Sequence, residues 1–137
     1  MATSRDQPVR SEPPHRLGLG ILLISGGHER AHYALMMAAG AAALGRRVVL
    51  FATNEGCRAL MPAPYAGDPR EAAARARGVA EISELAEAAA ELGVRRIACE
   101  AGLRMIDAEA GTLAEGVEVA GIATFLEAVG AGQIITL

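Results

Sequence analysis

Leu17 to Ile24 form an unbroken apolar run, LGLGILLI, without polar alternation. A strand that reads this way is buried on both faces, as in a parallel sheet. Ser25-Gly26-Gly27 ends it as a turn. An alanine-rich helix is predicted over His28–Leu44, stopped by Gly45. VVLFAT, Val48–Thr53, reads as a second strand, and a short helix over Glu55–Leu60 stops at Met61-Pro62. Pro62–Gly78 holds three prolines and an Arg/Ala-rich run, which predicts a long mobile loop with at most a loose helix. Ala80–Leu92 is the clearest helix: Ile82, Leu85, Ala86, Ala89 and Leu92 share one stripe, and Glu81, Glu84, Glu87 and Glu91 lie off it. Those glutamates read as a solvated face, not a metal cluster.

Gly93 ends that helix. VRRIAC, Val94–Cys99, predicts a third strand, followed by a short helix over Gly102–Ala108 and a loop to Gly116. Val117–Val129 reads as a helix with Val119, Ile122, Phe125, Leu126 and Val129 inward, and QIITL closes as a strand. Residues 1–16 are polar with three prolines and predict a flexible tail. Strands alternating with helices give one α/β domain over residues 17–137 with a mainly parallel sheet. Ligands of such folds bind outside the carboxyl ends of strands. That rule selects Ser25–His28, Thr53–Cys57 and Cys99–Arg104.

Composition narrows the function. Thirty alanines and only four aromatics mean a core of small aliphatic side chains. The net charge is −3 and no basic cluster stands out, which argues against nucleic acid as a partner. All 13 basic residues are Arg, so lysine Schiff bases and phosphate-loop lysines are excluded. No apolar run reaches the roughly 18 residues of a membrane helix. The start has no apolar signal core, so a cytoplasmic protein is expected. Cys57 and Cys99 form no CxxC pair and read as thiols, not as a structural bridge.

Cys99 carries the most chemistry. It ends a predicted strand two or three residues before a predicted helix N-terminus, whose partial positive charge and free N–H groups lower a cysteine's pKa. Arg104 could add positive charge, while Glu100 would oppose it. The bland alternative is an inert thiol filling the strand end. Cys57, in NEGCRAL, invites the same dipole argument on the first turn of its helix, with the same alternative. HERAH, His28–His32, matches H-E-x-x-H, and residues i and i+4 of a helix share a face. A catalytic zinc needs a third protein ligand. The only other histidine, His15, is in the tail, so no metal site is assigned. His28 fits better as a hydrogen-bond donor or relay beside a reactive thiol. Gly26 and Gly27 open a helix N-terminus that could hold an anion, but the loop lacks GxGxxG and GK[ST].

Three segments together resemble the DsrE/DsrF-like family, the sulfur-relay group that includes TusD. They are SGGHERAHYALMMAAGAAALGRRVVLFAT (Ser25–Thr53), ELGVRRIACEAGLRM (Glu91–Met105) and EVAGIATFLEAV (Glu118–Val129). The resemblance implies a three-layer αβα domain with a mainly parallel sheet of four to five strands, assembling into homo-oligomers, trimers or hexamers. It also implies that a cysteine after a central strand carries sulfur as a persulfide and passes it to a partner protein, with no cofactor. The family's cysteine in the ACE segment matches Cys99. Cys57 has no equally general counterpart. The family has also been called peroxiredoxin-like, but the chain lacks a peroxiredoxin's active-site motif. Two further readings stay open: a non-catalytic assembly module of this fold, and a metal site on His28 and His32.

Overall fold

The computed structural model of the chain describes residues 17–137; the predicted tail, residues 1–16, lies outside the described residues. Five strands form one all-parallel sheet: β1 (Leu19–Leu23), β2 (Val48–Ala52), β3 (Arg95–Cys99), β4 (Glu118–Ala120) and β5 (Gln133–Thr136). Their order is β4-β3-β2-β1-β5. The helices are α1 (His28–Ala43), α2 (Pro69–Ala76), α3 (Ile82–Glu91), α4 (Glu100–Met105) and α5 (Ile122–Val129). Among the described residues, no helix is long and apolar enough to cross a membrane.

The unalternating runs of β1 and β2 have the cause the sequence implies, since both strands sit mid-sheet under helices on both sides. On one side Leu19, Ile21, Leu23, Val48 and Leu50 join Ala31, Leu35 and Ala38 of α1 and Ile82 and Ala89 of α3 in the main core. On the other side Val49, Phe51, Ile97 and Cys99 meet Phe125 and Val129 of α5. Phe51 and Phe125 stack at 4.9 Å between ring centroids. Gly20 is what lets α5 approach: a Cβ there would lie 2.5 Å from Val129 Cγ2.

Some local expectations change. The helix predicted over Val117–Val129 is two elements. Glu118–Ala120 pairs with β3 as strand β4, and α5 starts only after its N-cap, Gly121. Only Phe125 and Val129 of the predicted inward set are buried; Val119, Ile122 and Leu126 are exposed, as is Leu92 on α3. Asn54–Leu60 is a 3-10 turn. The Pro62–Gly78 stretch, expected as a mobile loop, contains α2. Asp68 caps it by accepting the Arg70 N–H at 2.9 Å, and Pro69 occupies its first turn. The Arg70 N–H bond also holds the Asp68 carboxyl below its ordinary pKa.

Candidate functional site at the strand ends

β1, β2 and β3 are neighbours, so their carboxyl ends lie side by side. Each runs into a tight turn, and glycines let the turns close on one another. A Cβ on Gly56 would meet the Leu23 carbonyl oxygen at 2.2 Å, and one on Gly102 would meet Thr53 Oγ1 at 2.2 Å. The Gly56 N–H donates to Ile24 O at 3.0 Å and the Thr53 N–H to Leu23 O at 2.9 Å. Ser25–His28, Thr53–Cys57 and Cys99–Arg104 thus share one corner of the molecule.

Cys99 is the last residue of β3 and itself caps α4, which begins at the next residue. Its Sγ accepts the Gly102 N–H at 3.4 Å. In register it faces Ala120 of β4, and Gly121 beyond it opens α5. Two helices therefore begin beside this residue. The side chain belongs to the α5-side apolar cluster and is 8% exposed.

Cys57 is wholly buried and donates its thiol proton to Ala52 O at 3.5 Å. Its pKa is pushed from 9.0 up to about 11, first by burial and then by the neighbouring charges of Cys99 and Glu55, with a hydrogen bond from the Cys99 backbone N–H opposing the shift. The two cysteines are therefore neighbours, and both are free thiols. The dipole argument made for Cys57 is outweighed by desolvation. A raised folded-state pKa gives stability that is complete below the unfolded value and lost as pH climbs through the folded one. Denaturant titrations should therefore show the wild type losing stability between pH 9.0 and about 11 more steeply than Cys57→Ala. Equal slopes would refute the burial of a neutral thiol here.

The remaining candidates have other partners. Arg104 Nη2 pairs with Glu100 Oε1 at 2.9 Å on the exposed surface of α4. Gly26 O accepts the Tyr65 hydroxyl at 2.7 Å and Arg58 Nη1 at 3.2 Å, while the Gly27 N–H donates to Ser25 Oγ at 3.1 Å. Gly26 is thus engaged through its carbonyl and Gly27 through its N–H.

His28 Nε2 bonds Glu71 Oε2 at 2.9 Å, both side chains buried, and has no hydrogen bond to either sulfur. His32 Nε2 bonds Ala80 O at 2.9 Å. The two rings stack at 5.7 Å and Tyr65 meets His28 edge-on. Glu71 also accepts the N–H groups of Ile82 at 3.0 Å and Ser83 at 3.4 Å, satisfying the open start of α3. HERAH is thus the anchor for the α2 segment. Among the described residues, no three metal-ligating side chains converge. Glu71 and Tyr65 were missed from sequence because their partners lie 43 and 39 residues away.

With this geometry in place, comparison with known proteins is informative. The sequence profile described as the DsrE/DsrF/DrsH-like family matches residues 66–137, just over half of the chain. The chain belongs to this DsrE/DsrF/DrsH-like family. The matched stretch includes Glu71, Cys99 and Gly102, and leaves out Cys57 and the HERAH segment. Two solved structures are similar in fold. The ychN protein from E. coli superposes with a TM-score of 0.64 at 12% identity, covering 88% of this chain and 99% of its own. MTH1491 from Methanobacterium thermoautotrophicum, titled a protein of unknown function, superposes with a TM-score of 0.56 at 19% identity and the same coverages. At these identities the likeness concerns the fold. No curated protein matches the chain.

Proposed function

We propose that this DsrE/DsrF-like protein is a cytoplasmic sulfur carrier that holds sulfane sulfur as a persulfide on Cys99 and passes it to a partner protein. The observation that carries this reading is the placement of Cys99: a buried strand-end cysteine whose Sγ accepts a helix N–H and which keeps 8% of its residue surface open, where Cys57 keeps none. The Cys99 thiolate attacks the outer sulfur of a donor persulfide, and the donor leaves as a thiolate. An acceptor thiolate then attacks the outer sulfur on Cys99, which is released as thiolate. Each step breaks one S–S bond and forms another, with no net oxidation. Helix N–H groups favour the anionic persulfide without a metal or nucleotide.

Incubation with a persulfide donor should give a species one sulfur atom heavier by intact mass. Cys99→Ser should lose that species entirely, and Cys57→Ala should keep it. A folded wild type that gains no sulfur would overturn the reading.

Self-association is the second part of the proposal. Ile122 and Leu126 on α5 are 49% and 50% exposed, and Ile134 on β5 is 44% exposed. Ile134 registers with Gly20, whose open side faces α5, so it lies on the same side of the sheet. Apolar groups grouped in this way favour a second copy of the chain over water. Light scattering should give a trimer or hexamer, and Leu126→Asp should reduce it to monomer with the fold intact. A wild-type monomer would defeat this part.

A further inference from the structure

Thr53 is the β2 counterpart of Cys99. Phe51 pairs with Ile97 and Ala52 with Ala98. The backbone stays extended at Thr53 (φ −136°, ψ 157°), and its N–H continues the β1 ladder to Leu23 O at 2.9 Å. The register therefore runs one step further and sets Thr53 beside Cys99. Side chains two apart on a strand share a face. Phe51 packs in the α5-side cluster with Cys99, so Thr53 projects to that same side. Its hydroxyl lies against Gly102, where an added Cβ would meet Oγ1 at 2.2 Å. The Gly102 N–H is the donor to Cys99 Sγ. Hydroxyl and sulfur thus flank one glycine, and Thr53 is half-buried where Cys99 is buried.

The hydroxyl does not bond Sγ. It donates to Asn54 Oδ1 at 3.2 Å, longer than the usual O–H···O range. A hydroxyl proton rotates to suit its acceptor. An anionic acceptor wins over a neutral amide, because charge-assisted hydrogen bonds are about twice as strong. A persulfide carries its charge on the outer sulfur, about 2.05 Å beyond the first. Neighbouring strands lie about 4.8 Å apart. A sulfur added on the β2 side of Sγ therefore meets the Thr53 hydroxyl, which Sγ itself does not. We propose that Thr53 is the sulfur-binding residue of this corner: its hydroxyl turns from Asn54 and donates to the outer sulfur of the Cys99 persulfide, holding it as the anion. This inference rests on the sulfur-carrier reading and adds to it the group that recognises the cargo.

The test compares wild type with Thr53→Val, which keeps the shape without the hydroxyl, and Thr53→Ser, which keeps the hydroxyl. Each protein is treated with glutathione persulfide and then alkylated with iodoacetamide across a pH series. Intact mass separates the loaded from the unloaded adduct. For loaded protein, the midpoint of the pH–rate curve should rise by about one unit in Thr53→Val, a tenfold change matching one hydrogen bond to a charged group. Thr53→Ser should match wild type. Thr53→Ala should behave as Thr53→Val does, which guards against a valine variant that fails to fold. The curve for unloaded Cys99 should be the same in all these proteins. A merely structural role moves both curves or neither, and either result overturns the role of Thr53 while leaving the carrier reading in place. A wild type that takes up no sulfur overturns both.

Discussion

Glu71→Ala is expected to remove about 3–5 kcal/mol of folding stability, the cost of deleting one partner of a buried charge-assisted network. The carboxylate accepts from His28 Nε2 and from the N–H groups of Ile82 and Ser83. Deleting it strands three buried or part-buried donors at once. Each unmet donor costs on the order of 1–3 kcal/mol. It also uncouples α2 from α1 and leaves the first two N–H groups of α3 to water, while the capping box between Glu81 and Glu84 remains. Glu71→Gln keeps an acceptor oxygen and should cost roughly half as much. Urea unfolding of the three proteins decides the matter. A Glu71→Ala loss below about 1 kcal/mol, the scale of an ordinary surface hydrogen bond, would mean that the segment is held by apolar packing alone.

Gly102→Ala is expected to destabilise by about 3 kcal/mol, the upper end of what overpacking costs. A Cβ there would meet Thr53 Oγ1 at 2.2 Å and the Asn54 backbone nitrogen at 2.4 Å. The second atom is main chain and cannot swing away. Helix propensity alone predicts the opposite sign, a gain of about 1 kcal/mol for Gly to Ala. Gly40, on α1, has nothing within 4 Å of its added Cβ, so Gly40→Ala should show that gain. Because α4 carries the N–H that Cys99 accepts, Gly102→Ala should also lower persulfide loading in the fraction that folds. Thermal melts in which both substitutions stabilise would show that the strand-end corner is loosely closed.

The layered architecture was legible because β1, β2 and α1 announce themselves locally: apolar runs, an alanine-rich stretch, glycine at the stop. β4 was not. EVA is separated from IATFLEAV by a single residue, and only pairing with the far-away β3 makes those three residues extended. Gly121 was the available sign of a break, and it reads equally well as a tolerated helix glycine. The three places that the strand-end rule picked out do lie together in the fold. The rule could not rank the thiols, because the burial of Cys57 depends on β1, β2 and β3 closing together. HERAH and Glu71 were opaque for a related reason. A glutamate in PREAAARA looks like a solvent-side charge until the crossover from α2 folds back onto α1.

One side of the sheet is covered by α1 and α3 together with Leu103 of α4, the other by α5 alone. Under the proposed assembly, substitutions at the exposed Ile122 and Leu126 of α5 would redraw how copies meet, whereas Phe125 and Val129 of the same helix pack in one cluster with Cys99. On the proposed reading, a lineage built on this plan could change its assembly through two exposed positions of one helix while keeping the two that hold the thiol's neighbourhood.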